Sequence, residues 1–264
     1  MGKIDLTKFP TNQHAVTTLE HVFRNNSNLC NSLNDRIING FLVALEEEPT
    51  DEGKIAYLKF LATICQVNGN EIKQCQDSII AVLVESDIIF NYTNTTFIAE
   101  LCELMDREHS SDGPSLSEEE KNKISIHIHL IELLSACTVG LNLFAEIKCS
   151  RVLSFENLER VIASASCRPA IKNTYLDFFY NVFVETRNDT SKEICNSPIM
   201  WTIFESFAYD IKCFLEIDYP SKSLNKGRKY EIEGEKSYVI DAIPDFLEKI
   251  FMQCKITSVK ILAK

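Results

Sequence analysis

The sequence has 264 residues, of which 45% are hydrophobic and 25% are charged, a composition typical of folded globular proteins. Its net charge of −11 at pH 7 is uneven, because the segment from Ser221 to Lys264 carries +3 and the preceding 220 residues carry −14. A protein that binds nucleic acid normally has a basic face, so no nucleic acid is expected as a partner. With only 8 Gly and 7 Pro, a turn-rich β-sandwich is disfavoured. No run of about 18 apolar residues is present, so we expect no membrane span in this chain.

The first half of the chain has a helical hydrophobic pattern. In the stretch SLNDRIINGFLVALEEE every fourth residue from Leu33 to Leu45 is apolar. Pro49 follows it, and the helix should end there. A second helix is predicted in KIAYLKFLATICQVNG, closed by a stop or a tight turn at Asn68-Gly69. A third is predicted in NEIKQCQDSIIAVLVES. A fourth is indicated by the spacing of Phe97, Leu101, Leu104 and Met105.

The segment 109–123, HSSDGPSLSEEEKNK, interrupts this pattern. It combines Ser, Gly, Pro and charge with a single apolar residue, which predicts a mobile surface loop. Its acidic run, Glu118–Glu120, could instead open the next helix. Helices then resume with Ile124–Thr138.

Helix starts in the second half carry specific signals. Ser154 is a predicted N-cap, with Asn157 at the position where a capping box has Glu or Gln. Pro169 and Pro198 stand in first turns, the latter after Ser197 as N-cap. The last predicted helix contains Pro244, which is either a kink or a late start.

The pattern therefore predicts an all-α chain of about nine or ten helices of about 12 to 20 residues, with no convincing strand. Helix pairs recur at roughly 40-residue intervals, the period of armadillo and HEAT arrays. We expect an armadillo/HEAT-like α-solenoid of stacked antiparallel helix pairs, with a compact bundle as the alternative. The expected organisation is a solenoid at 1–217 with the loop near 109–123, a linker at 218–235, and a C-terminal helix at 236–264 that could begin a further repeat.

The ten cysteines are scattered along the chain without a CxxC pair. Most stand in apolar helical contexts, such as FLATICQV around Cys65 and LLSACTV around Cys137. No signal-peptide pattern opens the sequence. We therefore expect reduced, buried thiols in a cytosolic environment rather than a disulfide framework.

The stretch ISIHIHLIELLSACTVG raises the question of a metal site at His127, His129 and Cys137. Residues two apart on a helix point about 200° away from each other, whereas two ligands of one metal need i, i+3 or i, i+4 spacing. His129 and Cys137 share a face but are two turns apart. We expect one histidine in or beside the core and the other nearer its edge.

No catalytic or cofactor motif stands out. GxSxG, GxxxxGK[ST], GxGxxG and the EF-hand order are all absent from the sequence. DREHSSDG brings His, Ser and Asp together, but in the most loop-like segment, where a triad would be poorly held. Trp201 is expected to pack between helices beside Phe204, Phe207 and Tyr209. We predict no enzyme activity, no catalytic, cofactor-binding or metal-binding residues, and no cofactor.

Several stretches resemble the central cytosolic region of inositol 1,4,5-trisphosphate receptors. HIHLIELLSACTVGLNLFAEIKC, from His127 to Cys149, is the most specific. Four further blocks occur in the same order as in that family, within about residues 12–215. Two lie upstream of the His127 block, HVFRNNSNLCNSLNDRIINGF and YLKFLATICQVNGNEIKQCQDSIIAVLV, and two lie downstream, NTYLDFFYNVFVET and KEICNSPIMWTIFESFAYDI. Ryanodine receptors share this homology domain, but the His127 block is more similar to the trisphosphate receptors.

The resemblance implies a non-catalytic scaffold that transmits signals within a tetrameric calcium-release channel, on the cytosolic face of the endoplasmic reticulum membrane. Its partners would be neighbouring domains and subunits of that channel. Calcium and inositol trisphosphate would bind elsewhere in the parent protein, and this segment, soluble by itself, would be a fragment lacking the ligand-binding core and the pore. The alternative is a free-standing α-solenoid adaptor that grips a partner peptide. The third hypothesis is a His/Cys metalloprotein.

Overall fold

The computed structural model describes residues 13–110, 115–186, 194, 197–216 and 234–254. These residues form an all-α, solenoid-like fold, as predicted. The helices are α1 (Gln13–Phe23), α2 (Ser27–Cys30), α3 (Asp35–Glu47), α4 (Asp51–Cys65), α5 (Lys73–Leu83), α6 (Asp87–Thr93), α7 (Thr95–His109), α8 (Glu118–Ala136), α9 (Leu143–Val152), α10 (Phe155–Ile162), α11 (Pro169–Phe179), α12 (Pro198–Leu215) and α13 (Ile243–Cys254).

A small β-hairpin follows α4, where the sequence predicted no strand. Strands β1 (Gln66–Val67) and β2 (Asn70–Glu71) pair antiparallel, with Gln66 opposite Glu71. Asn68 and Gly69 form the two-residue turn between them, and their φ angles of 52° and 77° are those of a type I′ turn. Of the two predicted alternatives at this site, the tight turn is therefore the one observed.

The helices pack in layers. One layer contains α1, α4, α8 and α11, each packed against the next in that order. A second contains α3, α5 and α9, and in a third α10 packs against both α7 and α12. The consecutive helices α5 to α8 therefore contribute at least one helix to each of the three layers, and the consecutive helices α9 to α11 do the same. This is the arrangement of a helical solenoid, in which each repeat covers the apolar face of the one before it.

The spacing of the repeats differs from the prediction. The helices of the first layer begin at residues 13, 51, 118 and 169, so the first interval is close to about 40 residues and the next two are longer. The additional helix α6 and the connection between α7 and α8 account for the longest interval. Helices α2, α6, α9 and α10 have 4, 7, 10 and 8 residues, clearly fewer than the about 12 expected.

The predicted loop at 109–123 is shorter than expected. Helix α7 runs to His109, and α8 begins at Glu118, so the acidic run lies in the first turn of a helix. Ser117 and Glu120 form a capping box there, and Glu120 also accepts a hydrogen bond of 2.5 Å from Arg107 on α7. These interactions, together with the N-terminal helix dipole, stabilise the three carboxylates where the sequence was interpreted as a solvated loop.

Most predicted helix boundaries are confirmed. Helix α3 ends before Pro49, and Ser154 caps α10 by accepting a hydrogen bond from the Asn157 amide at 3.3 Å. Pro169 and Pro198 occupy first turns. Ser197 lies at the N-cap position of α12, although its hydroxyl makes no capping hydrogen bond.

Two π-helical turns extend the last helices. Tyr180–Val184 continues α11, and Tyr238–Ala242 precedes α13 within a helical run that starts at residue 234. The second π-turn stands directly before Pro244, whose ring would clash with the carbonyl one turn earlier in a regular α-helix. Of the two predicted alternatives for Pro244, a kink and a late start, the late start is not observed, because the helical run already begins at residue 234; the irregularity is this wider turn. The predicted linker falls outside the described residues except at 234 and 235, which are helical.

Candidate functional site

His127 is a fully buried polar residue at the centre of the first layer. Its Nδ1 lies 2.6 Å from the carbonyl oxygen of Tyr92, and its Nε2 lies 2.8 Å from the hydroxyl of Tyr175. A carbonyl can only accept, so the proton sits on Nδ1, and Nε2 accepts the hydrogen bond that Tyr175 donates. One side chain of α8 thus connects the end of α6 with α11.

Burial fixes the charge state of this histidine. Desolvation lowers the pKa of His127 to about 4, so the imidazole is neutral near pH 7. The aromatic rings of Phe97 and Tyr175 lie 5.1 Å and 5.7 Å from the imidazole, measured between centroids. A neutral ring with both nitrogens engaged is suited to joining helices rather than to transferring protons.

His129 and Cys137 lie in different surroundings from His127. His129 Nδ1 lies 2.6 Å from Glu132 Oε2 on the same helix, and Cys137 Sγ lies 3.6 Å from Cys65 Sγ at the end of α4. The two histidines therefore have separate partners and do not face a common point. Across the parts of the chain that the structure describes, no group of three or more His, Cys, Asp or Glu could hold a metal ion.

Free cysteines are concentrated in the core. Eight cysteines have described side chains, all of them free, and six of the eight are buried. Burial raises the pKa of Cys65 and Cys149 well above the ordinary value and raises the pKa of Cys75 to about 12. Because the thiolate is the reactive form, these thiols act as small apolar side chains.

The connection between α8 and α9 is held by buried amides. Gln76 on α5 donates hydrogen bonds of 3.0 Å to the carbonyls of Ala136 and Val139, and Asn142 donates one of 3.1 Å back to Gln76 Oε1. Gly140 and Leu141 have positive φ angles of 83° and 63°, which reverse the chain here. The second and first layers are thereby connected through polar contacts as well as apolar ones.

A groove of about 850 Å³ runs along α4 between α1, α8 and the hairpin turn. Its lining carries both signs of charge, including Glu20, Arg24, Glu52, Lys59 and Glu132. Arg24 is paired with Glu20 on α1. A polar groove of this size fits an extended peptide better than an apolar small molecule.

A buried ion pair joins α11 to the last two helices. Lys172 is only 2% exposed, and its Nζ lies 2.7 Å from Asp210 Oδ2 on α12. The hydroxyl of Tyr238 donates a 3.2 Å hydrogen bond to the same carboxylate oxygen, and the lysine nitrogen lies 5.8 Å from the centre of the tyrosine ring. Burial and the neighbouring carboxylate together raise the pKa of Tyr238.

Comparison with known proteins agrees with the sequence blocks. The family model of the RIH domain of ryanodine and inositol trisphosphate receptors matches residues 6–95, the part of the chain that contains α1 to α6. The chain is also 27% identical, over 173 residues, to the inositol 1,4,5-trisphosphate receptor itr-1 of Caenorhabditis elegans. The chain is inositol trisphosphate receptor-like.

The match covers 65% of this receptor-like chain but only 6% of the length of the curated relative. The named relative is a receptor. Among the helices described, none is long and apolar enough to cross a membrane. The predicted resemblance to inositol trisphosphate receptors is confirmed.

Sequence reasoning missed the partners of the buried polar residues. Tyr92 and Tyr175 lie 35 and 48 residues from His127, and no local pattern points to them. Nothing in the sequence around Lys172 distinguishes it from a surface lysine. The one available signal was the apolar context of His127 in IHIHLIELL, which did predict a histidine in or beside the core.

Proposed function

We propose that this receptor-like chain is a non-catalytic module that transmits conformational change within an inositol trisphosphate-gated calcium-release channel. In this proposal the module lies on the cytosolic face of the endoplasmic reticulum membrane and contacts neighbouring domains and subunits of a tetramer. The ligand-binding core and the pore lie in other parts of the channel. The similarity to an inositol trisphosphate receptor is the observation that carries the proposal.

The packing of the first layer supports a mechanical role. Helices α1, α4, α8 and α11 are in continuous contact, and His127 connects Tyr92 to Tyr175 across the layer. Packed helices joined by buried polar groups move as units rather than deforming continuously. A displacement at α1 would therefore reach α11 without any chemical step.

A free-standing adaptor is the second candidate function. The mixed-charge groove along α4 is the observation that favours it, because a peptide with both signs of charge would find partners there. In that case the chain would act without any channel.

An antibody raised against the purified chain separates the two functions. Detergent-solubilised membranes are precipitated with it, and the precipitate is assayed for binding of radiolabelled inositol trisphosphate. A large membrane complex that binds the ligand is expected. Recovery of the antigen only from the soluble fraction, without ligand binding, would instead favour the adaptor.

A further inference from the structure

Two buried thiols on different helices lie in contact. Cys65 is the last residue of α4, and Cys137 directly follows α8; their sulfur atoms are 3.6 Å apart. Both side chains are fully buried. The two residues are 72 positions apart in the sequence, so the packing of α4 against α8 is what brings the sulfurs together.

Other buried cysteines of the core are oriented differently. In Cys30, Cys75 and Cys149, the sulfur atom lies 3.6 Å from a backbone carbonyl oxygen rather than from another sulfur. Among the eight cysteines with described side chains, Cys65 and Cys137 are the one pair whose sulfur atoms touch. This contact therefore distinguishes the pair from the rest of the buried thiols.

The separation of the two sulfurs is close to what a disulfide bond requires. A disulfide has an S–S distance of about 2.05 Å, so the sulfurs have to approach by about 1.5 Å. Both cysteines stand at helix ends, since α4 continues into the hairpin and α8 into the turn at Gly140 and Leu141. Helix ends open locally at a lower free energy than the buried middle of a helix, so a local shift is sufficient for this approach.

The groove along α4 gives access to this pair from solvent. Gln66 and Ala136 line the groove near the hairpin, and they are the chain neighbours of Cys65 and Cys137. Consecutive Cα atoms are about 3.8 Å apart, so the thiols lie close behind the wall of the groove. A small uncharged oxidant such as hydrogen peroxide reaches the pair when the two helix ends separate at that wall.

The closed packing keeps the pair reduced. Burial raises the pKa of Cys65 well above its ordinary value, and the thiolate is the form that reacts with oxidants. The Cys65 thiol also donates a hydrogen bond of 3.2 Å to the carbonyl of Leu61 in its own helix. Oxidation therefore requires a transient opening of the helix ends, and its rate reports how often α4 and α8 separate there.

We propose that Cys65 and Cys137 form a redox modification site, at which a peroxide closes a disulfide bond between α4 and α8. The contact of the two sulfurs and their place beside the groove carry this inference. It is independent of the channel function. The bond holds together the ends of the two helices that occupy the middle of the first layer.

The reaction has two steps. One thiol loses its proton, its sulfur attacks a peroxide oxygen, and the O–O bond breaks, which leaves a sulfenic acid; the departing hydroxide takes up the proton as water. The second sulfur then attacks the sulfenic sulfur, the S–O bond breaks, and the leaving oxygen takes up the second thiol proton as another water. The two sulfurs together lose two electrons, which reduce one peroxide to two waters.

Peptide mapping identifies the bond in the parent chain. Trypsin leaves Cys65 as the single cysteine of peptide 60–73 and Cys137 as the single cysteine of peptide 124–148. The reduced, folded chain is treated with hydrogen peroxide in slight excess, its remaining thiols are blocked with N-ethylmaleimide, and the digest is analysed by mass spectrometry. We expect the two peptides to be joined, two hydrogen atoms lighter than their sum, as the main disulfide-linked product.

The time course separates oxidation gated by opening from oxidation at the surface. Cys213 is exposed and should be oxidised first, whereas the link between peptides 60–73 and 124–148 should form more slowly. Urea below the unfolding transition should accelerate the link, because it favours local opening, and should leave the oxidation of Cys213 unchanged. A rate of linking that urea does not alter would contradict the gating.

Variants and a stability measurement complete the test. Cys137→Ala should abolish the link, and Cys75→Ala, which removes a buried thiol outside the pair, is the matched control and should retain it. The linked chain should unfold at a midpoint higher by about 5 °C or more, because the bond restricts the unfolded chain. Dithiothreitol should restore the lower midpoint. The mapping uses the parent chain, so it does not depend on the folding of either variant.

Three results would overturn the proposal. The first is oxidation of Cys213 without any joined peptide, which would mean that the pair only packs. The second is a mixture in which Cys65 is linked as often to Cys75 or Cys149 as to Cys137, which would mean that oxidation follows general unfolding. The third is a linked chain with a lower unfolding midpoint than the reduced chain, which would mean that the sulfurs are not placed for a disulfide.

Discussion

His127 Nε2 lies 2.8 Å from the hydroxyl of Tyr175, and this hydrogen bond joins α8 to α11 inside a fully buried part of the first layer. The same imidazole reaches Tyr92 through its other nitrogen. A buried polar group with both sites engaged makes the register of three helices specific, because any displacement leaves a donor or an acceptor without a partner.

Tyr175→Phe tests that hydrogen bond. The substitution leaves the ring in place but removes the donor, so Nε2 of His127 remains buried without a partner. A loss of about 1–3 kcal/mol in the free energy of unfolding is expected. Urea unfolding measures it, with Tyr209→Phe as the control, since Tyr209 is 53% exposed and should change stability little. Equal effects of the two variants would contradict the assigned role of Tyr175.

The stability of the chain should depend on pH through His127. Its pKa is about 4 when folded, against an ordinary value of 6.5. The unfolded chain therefore binds a proton between these values that the folded chain does not bind. The contribution of neutral His127 to the free energy of unfolding is therefore fully present above about pH 6.5. It decreases as the pH falls towards about 4, and at about pH 5 it is smaller by about 2 kcal/mol.

His127→Phe isolates this contribution from the carboxylates, which also titrate in acid. The variant is less stable near neutral pH, because Tyr175 and the Tyr92 carbonyl lose a partner. Between about pH 7 and about pH 5, the free energy of unfolding of the variant should decrease by about 2 kcal/mol less than that of the parent chain. Parallel pH profiles of the two proteins would show that His127 is not the titrating group.

Lys172 and Asp210 should behave as a coupled pair. Removing one partner leaves a buried charge without its counterpart and is expected to cost about 3–5 kcal/mol. We expect Lys172→Met and Asp210→Leu each to destabilise the chain strongly, and the double variant to lose much less than the sum. A double-mutant cycle in urea measures the coupling. Additive losses would mean that the two side chains do not interact.

Gly140 should tolerate alanine less well than Gly69. Both have positive φ angles, of 83° and 77°, so both variants incur the backbone strain of a left-handed residue. Only at position 140 would the added Cβ meet another group, the Glu71 side chain at 2.6 Å. Thermal unfolding should show a larger decrease in midpoint for Gly140→Ala, and Glu71→Gly, which removes the Cβ at 2.8 Å together with the carboxyl group, should reduce that difference. An unchanged difference would exclude the clash as its cause.

The sequence allowed most helices to be predicted, because their start and stop signals are local. Each helix is started by residues at its own N-terminus: Ser154 caps α10, and Pro169 and Pro198 lie in the first turns of α11 and α12. The start of α8 was also accessible, since Ser117 and Glu120 have the spacing of a capping box, but the surrounding Ser and Gly favoured a loop.

Other features depend on residues far apart in the chain. The strands β1 and β2 have two residues each, too few for an alternating pattern to be visible. The π-turn before Pro244 packs against α11 and α12, which are distant from it in the sequence. Trp201 was expected to pack between helices; its indole lies 5.7 Å from the ring of Phe204 on the same helix, and the side chain is 38% exposed.

The most direct test of the proposed signal-transmitting role separates ligand binding from calcium release. Microsomes are prepared from cells whose endogenous gene carries Tyr175→Phe, and release evoked by inositol trisphosphate is measured per ligand-binding site. If the module transmits conformational change, ligand affinity should be unchanged and calcium release per site should fall. Unchanged release per site in these membranes, with the His127–Tyr175 hydrogen bond removed, would contradict the account.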